Sequence, residues 1–337
     1  MTSADTGRVT IKEVARRAGV SHQTVSRFLR FQGAGMKGPT QERIRAAIDE
    51  LDYRPNLAAR AMRTRRTGRL AVLLPEGSAH SSVEVLEGVR KVAHENGYDI
   101  DVVTVGGTLR TRGQRMLELV ESGLFEGVLS LTPLEPGVGR GSSGPPLRVF
   151  GIYEDEMRSI GELADGAPIG EIIEKLAANG HRCFMHVAGD LTYESARRRR
   201  DAYLAAIERL GLESYGVVEC EWRPERAMQA VLDLPTDSRV TAIIGANDLL
   251  AAGVVRGASL RGWRIPDDLS VAGFDINELG EWLNPSLTSV QIHHARIGRA
   301  AMCQMIAELR GEPEPADDGP YMSVIWHDSV GAAPSAR

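Results

Sequence analysis

From residue 70 onward, short apolar runs of strand length alternate with stretches of helical periodicity, which restricts the body of the chain to parallel sheet covered by helices. The first series runs LAVLLP (70–75), a helix over Val83 to Glu95, DIDVVTV (99–105), a helix over Gln114 to Ser122, and GVLSL (127–131). The second runs CFMHVAG (183–189), a helix around Ala196 to Leu210, GVVECEW (216–222), TAIIGAN (241–247), a helix after Asp248, and SVAGFD (270–275). Two such series predict an α/β body with two parallel sheets side by side over residues 69–330, followed by a flexible tail, 331–337. Ligands of open parallel sheets sit at the carboxyl ends of the strands. The polar residues that close these runs are therefore the first candidates: Asn247 and Asp248, Asp275, Trp222, and Asp165 in the segment ELADGAPIG.

The first 53 residues read differently. Thr10-Ile11-Lys12-Glu13 has the capping-box form, Ile11, Val14, Ala15 and Ala18 recur at helical spacing, and Gly19 supplies a stop that tolerates a left-handed backbone. Ser21 is the next N-cap, before a second helix with Val25, Phe28 and Leu29 on its apolar face. Two helices crossing at a tight angle need a small residue, a flexible turn and a buried aliphatic, the roles of Ala15, Gly19 and Val25. A Gly-rich connection, Gly33 to Gly38, leads through Pro39 to Thr40, the expected cap of a third helix carrying Ile44, Ala47, Ile48 and Leu51. In such a helix-turn-helix the first residues of the second helix enter the major groove, where base edges are distinguishable. Here they are His22, Gln23 and Arg27; Gln pairs two ways with adenine and Arg two ways with guanine.

Charge agrees with that assignment. Residues 1–69 hold 15 Lys and Arg against 6 Asp and Glu, while the remainder holds 25 against 39, so a basic head is attached to an acidic body. No run of about 18 apolar residues appears and MTSADTGRVT lacks the pattern of a signal peptide, so a cytoplasmic protein with no membrane partner is expected. The three cysteines, Cys183, Cys220 and Cys303, have no zinc-type spacing, and no metal or cofactor is expected.

The segments VTIKEVARRAGVSHQTVSRFLR (9–30) and DYRPNLAARAMRTRRTG (52–68), with the motifs downstream, resemble the LacI/GalR family of transcriptional regulators over nearly the whole chain. The resemblance implies a helix-turn-helix head (1–53), a hinge helix and linker (54–68) and a body of the periplasmic-binding-protein type. It implies operator contacts from Thr10, Ser21, His22, Gln23, Thr24, Ser26 and Arg27 of the head, and from Asn56, Ala59, Met62 and Arg63 of the hinge. Met62 stands where the family places a leucine that wedges into a minor-groove step. The implied effector cleft holds Arg199, Trp222, Asn247 and Asp275, with Asp165 as a contribution of the first lobe and His294 near the start of the last helix. Carboxylate, amide and guanidinium groups bond sugar hydroxyls while an indole faces the ring, so a carbohydrate effector is expected ahead of a nucleobase.

The same segments depart from the family in places: Ile276 follows Asp275 where many relatives carry a second Asp, and Ala202 replaces a frequent Gly. The implied assembly is a homodimer on palindromic double-stranded DNA. HDSVGAAPSAR, the tail after Trp326, has no leucine heptads, so a tetramer is not expected. An enzyme has no anchor here. GVGRGSSG has Ser142 at the third glycine position of GxGxxG, and GxxxxGK[ST], HExxH and GxSxG are absent. A sugar receptor without DNA function would need a secretory signal and no basic head.

Overall fold

Thr10 opens the first helix through its partner three residues on: its backbone N–H and its hydroxyl both donate to the Glu13 carboxylate, at 2.6 and 2.8 Å. In this computed structural model, which describes residues 9–31, 33–54, 66–77, 80–138, 144–275, 280, 282–316 and 319–334, helix α1 spans Ile11–Ala18 and ends at Gly19 with φ 64°. Ser21 caps α2 (His22–Phe31), its hydroxyl accepting from the Thr24 amide at 3.1 Å. The third helix, α3, spans Gly38–Glu50, three residues earlier than expected; Lys37 is its cap, Pro39 sits in its first turn, and Thr40 lies inside it. Proline at that position costs no hydrogen bond, because first-turn amides have no helical acceptor. Val14, Ala15, Ala18, Val25, Phe28, Ile44, Ala47 and Tyr53 form a buried core between the three helices. The chain divides into two units, Met1–Thr67 and Gly68–Arg337.

The second unit holds two sheets. In lobe 1, β1 (Arg69–Pro75), β2 (Asp99–Val105), β3 (Gly127–Ser130) and β4 (Leu147–Val149) run parallel in the order β2-β1-β3-β4. Lobe 2 repeats that order with β5 (Cys183–Ala188), β6 (Glu213–Glu219), β7 (Ala242–Gly245) and β8 (Ser270–Ala272), as β6-β5-β7-β8. Helices α4 (His80–Glu95), α5 (Leu109–Glu121), α6 (Ala167–Ala178), α7 (Glu194–Arg209), α8 (Pro224–Leu232), α9 (Asp248–Leu260) and α10 (His294–Arg310) connect and cover them. Strands β1, β5, β7 and β8 are buried almost throughout, as strands covered on both faces must be.

The lobes are not consecutive in sequence. After β4 the chain enters lobe 2 through a short helical turn, Gly161–Ala164, that packs on α7. It returns after β9 (Ser289–Ile292) into α10, which lies along α4 of lobe 1. Gly88 and Gly298 make that helix pairing possible: a Cβ on Gly88 would strike the carbonyl of Ala295, and one on Gly298 that of Val85. The chain crosses a third time along β10 (Met322–Ile325), antiparallel to β9. Its end packs on lobe 2, where the Gly331 amide donates to Ser270 at 3.0 Å and the Ala333 amide to Asn179 at 2.9 Å. Residues 331–333 are thus part of the body and not of a flexible tail.

Other expectations shift by a few residues. Helix α4 begins at His80 and α5 at Leu109, where Thr108 caps an arginine-rich first turn that lacks an apolar stripe. Strand β6 ends at Glu219, so Trp222 lies beyond it in a turn. Among the described residues no helix is long and apolar enough to cross a membrane.

The buried polar groups of the described residues include a histidine at the heart of lobe 2. His186, in the middle of β5, is fully buried, stacks on Tyr203 at 5.2 Å and bonds the Ile244 carbonyl through Nδ1 at 2.9 Å. Burial pushes the imidazole down to about 4. The unfolded chain binds a proton at His186 near pH 6.5, which the folded chain refuses until about pH 4. Stability from this group is therefore complete above pH 6.5 and lost as pH falls through that window, by up to about 3 kcal/mol. Urea unfolding at pH 7, 6 and 5 should show a steeper loss in the natural protein than in His186→Phe; equal slopes would contradict the assignment.

Candidate functional site

The second helix of the head presents a polar arc. At about 100° per residue, His22, Gln23, Ser26 and Arg27 fall on the side of α2 opposite buried Val25 and Phe28. His22, Gln23 and Arg27 are exposed and make no hydrogen bond with any described residue. Thr10, Ser21 and Thr24 are already engaged locally: Thr10 with Glu13, and Ser21 with the Thr24 hydroxyl at 2.9 Å. Ser26 is half-buried. Asn56, Ala59, Met62 and Arg63 lie outside the described residues.

In the body, sheet order fixes where a ligand site can form. With the order 2-1-3-4 repeated in each lobe, connections from the two central strands leave to opposite sides, opening a crevice at the carboxyl ends of β1 and β3 and of β5 and β7. Arg199, on α7, reaches the crevice of lobe 2. Its guanidinium donates to the Ala246 carbonyl at 2.7 Å and to both oxygens of Asp275, at 2.7 and 3.2 Å, while lying 3.7 Å over the Phe274 ring. Its side chain is 3% exposed, against 41% for Asp275. The guanidinium is thus a buried strut, and the carboxylate it holds is the group that faces solvent.

The other residues expected in the site are spread around this pair. Asn247 follows Ala246 directly; its side-chain oxygen caps α9, accepting from Leu250 N at 2.9 Å, which leaves the amide nitrogen free of described partners. Trp222 packs edge-on to Tyr193, the N-cap of α7, at 5.8 Å, and its indole lies across Gly189 at the end of β5. Asp165 belongs to lobe 2 and not to lobe 1, because it follows the first crossover and caps α6 through Ala167 N at 3.0 Å. It lines a pocket of about 450 Å³ with Glu162, Glu171 and Tyr321. His294 starts α10, mostly buried, with Nδ1 3.4 Å from the Glu84 carboxylate of α4.

Two kinds of irregularity gather at the facing ends of the lobes. Among the described non-glycine residues, those with positive φ are Asp52 in the head and Glu156, Met157, Glu221, Trp222 and Asp275 in the body. Such backbone costs about 1–3 kcal/mol per residue and persists where surroundings over-determine it, commonly at ligand sites. Buried side-chain nitrogens without a hydrogen-bond partner are Arg112 Nε, Arg158 Nε, Arg199 Nε, Trp222 Nε1 and, away from the crevice, His186 Nε2.

Residues 10–56 match the family model of bacterial regulatory proteins of the lacI family, and residues 173–330 that of the periplasmic binding protein-like domain. The chain is a LacI-family DNA-binding repressor. The HTH-type transcriptional repressor PurR of Vibrio campbellii is 28% identical to it over 314 residues, covering 89% of this chain and 92% of that protein. The ribose operon repressor of Haemophilus influenzae is 27% identical over 319 residues, covering 90% and 93%. In fold this LacI-family chain matches a crystal structure of the Lac repressor dimer bound to operator and the anti-inducer ONPF, with a TM-score of 0.72 at 24% identity over 96% of this chain and all of that one.

Several residues at the crevice of this LacI-family repressor escaped the sequence reading. Tyr193 precedes the SARRR run as an ordinary polar residue. Asp155 and Arg158 sit in a hairpin after β4, a three-residue strand too short to recognise, and Arg112 falls in the unexpected first turns of α5. The exposures of the central pair set an asymmetry. Asp275→Ala strands a buried guanidinium and should lower the unfolding free energy by about 3 kcal/mol, whereas Arg199→Met leaves a carboxylate that water can reach and should cost less. Urea denaturation of both variants measures this; a larger loss for Arg199→Met would reverse the roles.

Proposed function

We propose that this repressor binds a roughly palindromic operator as a cytoplasmic homodimer, that His22, Gln23 and Arg27 read bases in each half-site, and that a carbohydrate in the crevice of the body sets its grip on DNA. The observation that carries the sensing half is the coincidence, at the facing strand ends, of left-handed backbone at Trp222 and Asp275 with a solvent-facing carboxylate held by a buried arginine. Asp275 and the Asn247 amide supply an acceptor and a donor for hydroxyls, and the Tyr193–Trp222 pair supplies an apolar face for a ring. The DNA half rests on the exposed polar arc of α2 and the basic excess of the first 69 residues. In the hinge, Asn56, Ala59 and Arg63 grip backbone and Met62 enters the minor-groove step between half-sites. Asp165 and His294 are assigned to the rim of the effector site, where each also has a structural partner.

Two similar proteins favour a sugar: one is a ribose operon repressor, and a structural neighbour is a regulator in complex with cellobiose. A nucleobase is the second reading, favoured by the aromatic Tyr193–Trp222 corner. Thermal shift of the full chain with sugars and nucleobases decides between them, because a ligand in excess stabilises the state it binds. Stabilisation by nucleobases alone would displace the carbohydrate reading. For DNA, Arg27→Ala and Gln23→Ala should each cost about 1–3 kcal/mol at particular operator positions and little on random duplex. Equal loss on both in a binding titration would remove the residue from base reading.

A further inference from the structure

The mechanism above uses one wall of the crevice. Lobe 1 carries the same device. Arg112, on α5, is 4% exposed and donates through Nη1 to the Thr132 hydroxyl just past β3, at 3.2 Å, as Arg199 donates to Ala246 just past β7. Its Nη2 pairs with Asp155, whose side chain is 73% exposed. Burial pushes the Arg112 guanidinium below its ordinary range, and the Glu76 carboxylate acts against that shift. Asp155 belongs to the hairpin Tyr153–Ser159, which leans on lobe 1 through Glu156 against Gly77. The same hairpin sends Arg158 to lobe 2, where the guanidinium lies 4.4 Å over the Tyr193 ring. Tyr193 precedes Arg199 by six residues on α7, about 9 Å along a helix. The hairpin thus touches lobe 1 through Asp155 and Glu156 and lobe 2 through Arg158.

We infer that Asp155, gripped by buried Arg112, is the lobe 1 counterpart of Asp275 and Arg199, and that the two carboxylates together select a neutral polyhydroxylated ligand. This rests on the reading of the crevice as an effector site and names the ligand chemistry within it. Both guanidiniums are buried and already paired, so an incoming molecule meets the carboxylates. Carboxylates accept from hydroxyls and repel anions. Each ion pair sums to zero charge, so a neutral ligand leaves none stranded, whereas a sugar acid or phosphate adds uncompensated negative charge beside exposed Glu76 at the end of β1. A ring bearing hydroxyls around its rim reaches both walls at once.

The test is calorimetric titration of the full chain with D-ribose, D-glucose and D-galactose. Ribose 5-phosphate, glucose 6-phosphate, D-galacturonate and D-glucosamine are the charged counterparts, and hypoxanthine and uracil are the bases. A neutral sugar should bind more than about tenfold tighter than its own charged counterpart. Asp155→Asn should weaken that sugar by about tenfold or more. Glu118→Gln, which removes a surface charge paired with Arg115, should stay within about twofold. If Asp155→Asn fails to fold, judged by its melting curve, Asp155→Ser carries the same test. Tighter binding of an anionic or amino sugar overturns the neutral assignment but leaves the carbohydrate reading standing. Unchanged affinity in a folded Asp155 variant removes that residue from the site. Binding of bases alone, or of nothing in the panel, defeats both readings.

Discussion

A guanidinium cut off from water must be paired, since the penalty for burying an unpaired ion is several kcal/mol. Arg199 meets that requirement with groups from three places: the Ala246 carbonyl just past β7, the carboxylate of Asp275 three residues after β8, and the ring of Phe274. Asp275 is in turn fixed by its backbone, whose amide donates to Val290 of β9 at 2.9 Å. Beside it, the buried carboxylate of Asp248 accepts from Ser289 at 2.5 Å, tying the start of α9 to the same strand. One buried charge thus sets the register of α7, two strand ends and the strand that leaves for the other lobe.

That last connection gives the crevice a mechanical consequence. Strand β9 runs directly into α10, which packs on α4 at carbonyl-to-glycine contact through Gly88 and Gly298. Helices packed that closely cannot slide without opening a void or a clash, so α10 moves with lobe 1. A change at Asp275 is passed to a strand whose far end belongs to the opposite lobe. Coupling requires an element with two arrangements, and the three crossovers are the segments whose ends sit in different bodies.

Much of this was legible in the sequence, for reasons that differ by element. The capping box at Thr10, the stop at Gly19 and the cap at Ser21 are local chemistry, and they hold residue for residue. The long buried strands read as continuous apolar runs because both faces are covered. What escaped depends on partners far along the chain. Strand β4 is three residues long and exists because β3 offers an edge; β9 and β10 pair across a gap of about thirty residues. Asp165 ends no strand: Ala167, two residues on, begins a helix whose first amides need an acceptor, and its carboxylate fills that role. Asp275 was legible as a polar residue at a strand end and Arg199 through the family resemblance of its helix, but their pairing, 76 residues apart, is a property of the fold. The tail misled because its small residues carry no apolar pattern, while its attachment runs through backbone groups of Gly331 and Ala333.

Equal devices on both walls also bear on how a small molecule could act as a switch. A ligand shifts an equilibrium only by its difference in affinity for the two states, and one that touches a single lobe binds open and closed forms alike. A crevice with one carboxylate would hold a sugar without reporting it. With Asp155 on lobe 1 and Asp275 on lobe 2, the second set of hydroxyl bonds forms only when the walls approach. A few such bonds match the 1–3 kcal/mol by which effectors commonly couple to a distant site. The Arg158–Tyr193 contact also spans the two lobes, and hydroxyl bonds to both carboxylates would act in the same direction as that contact.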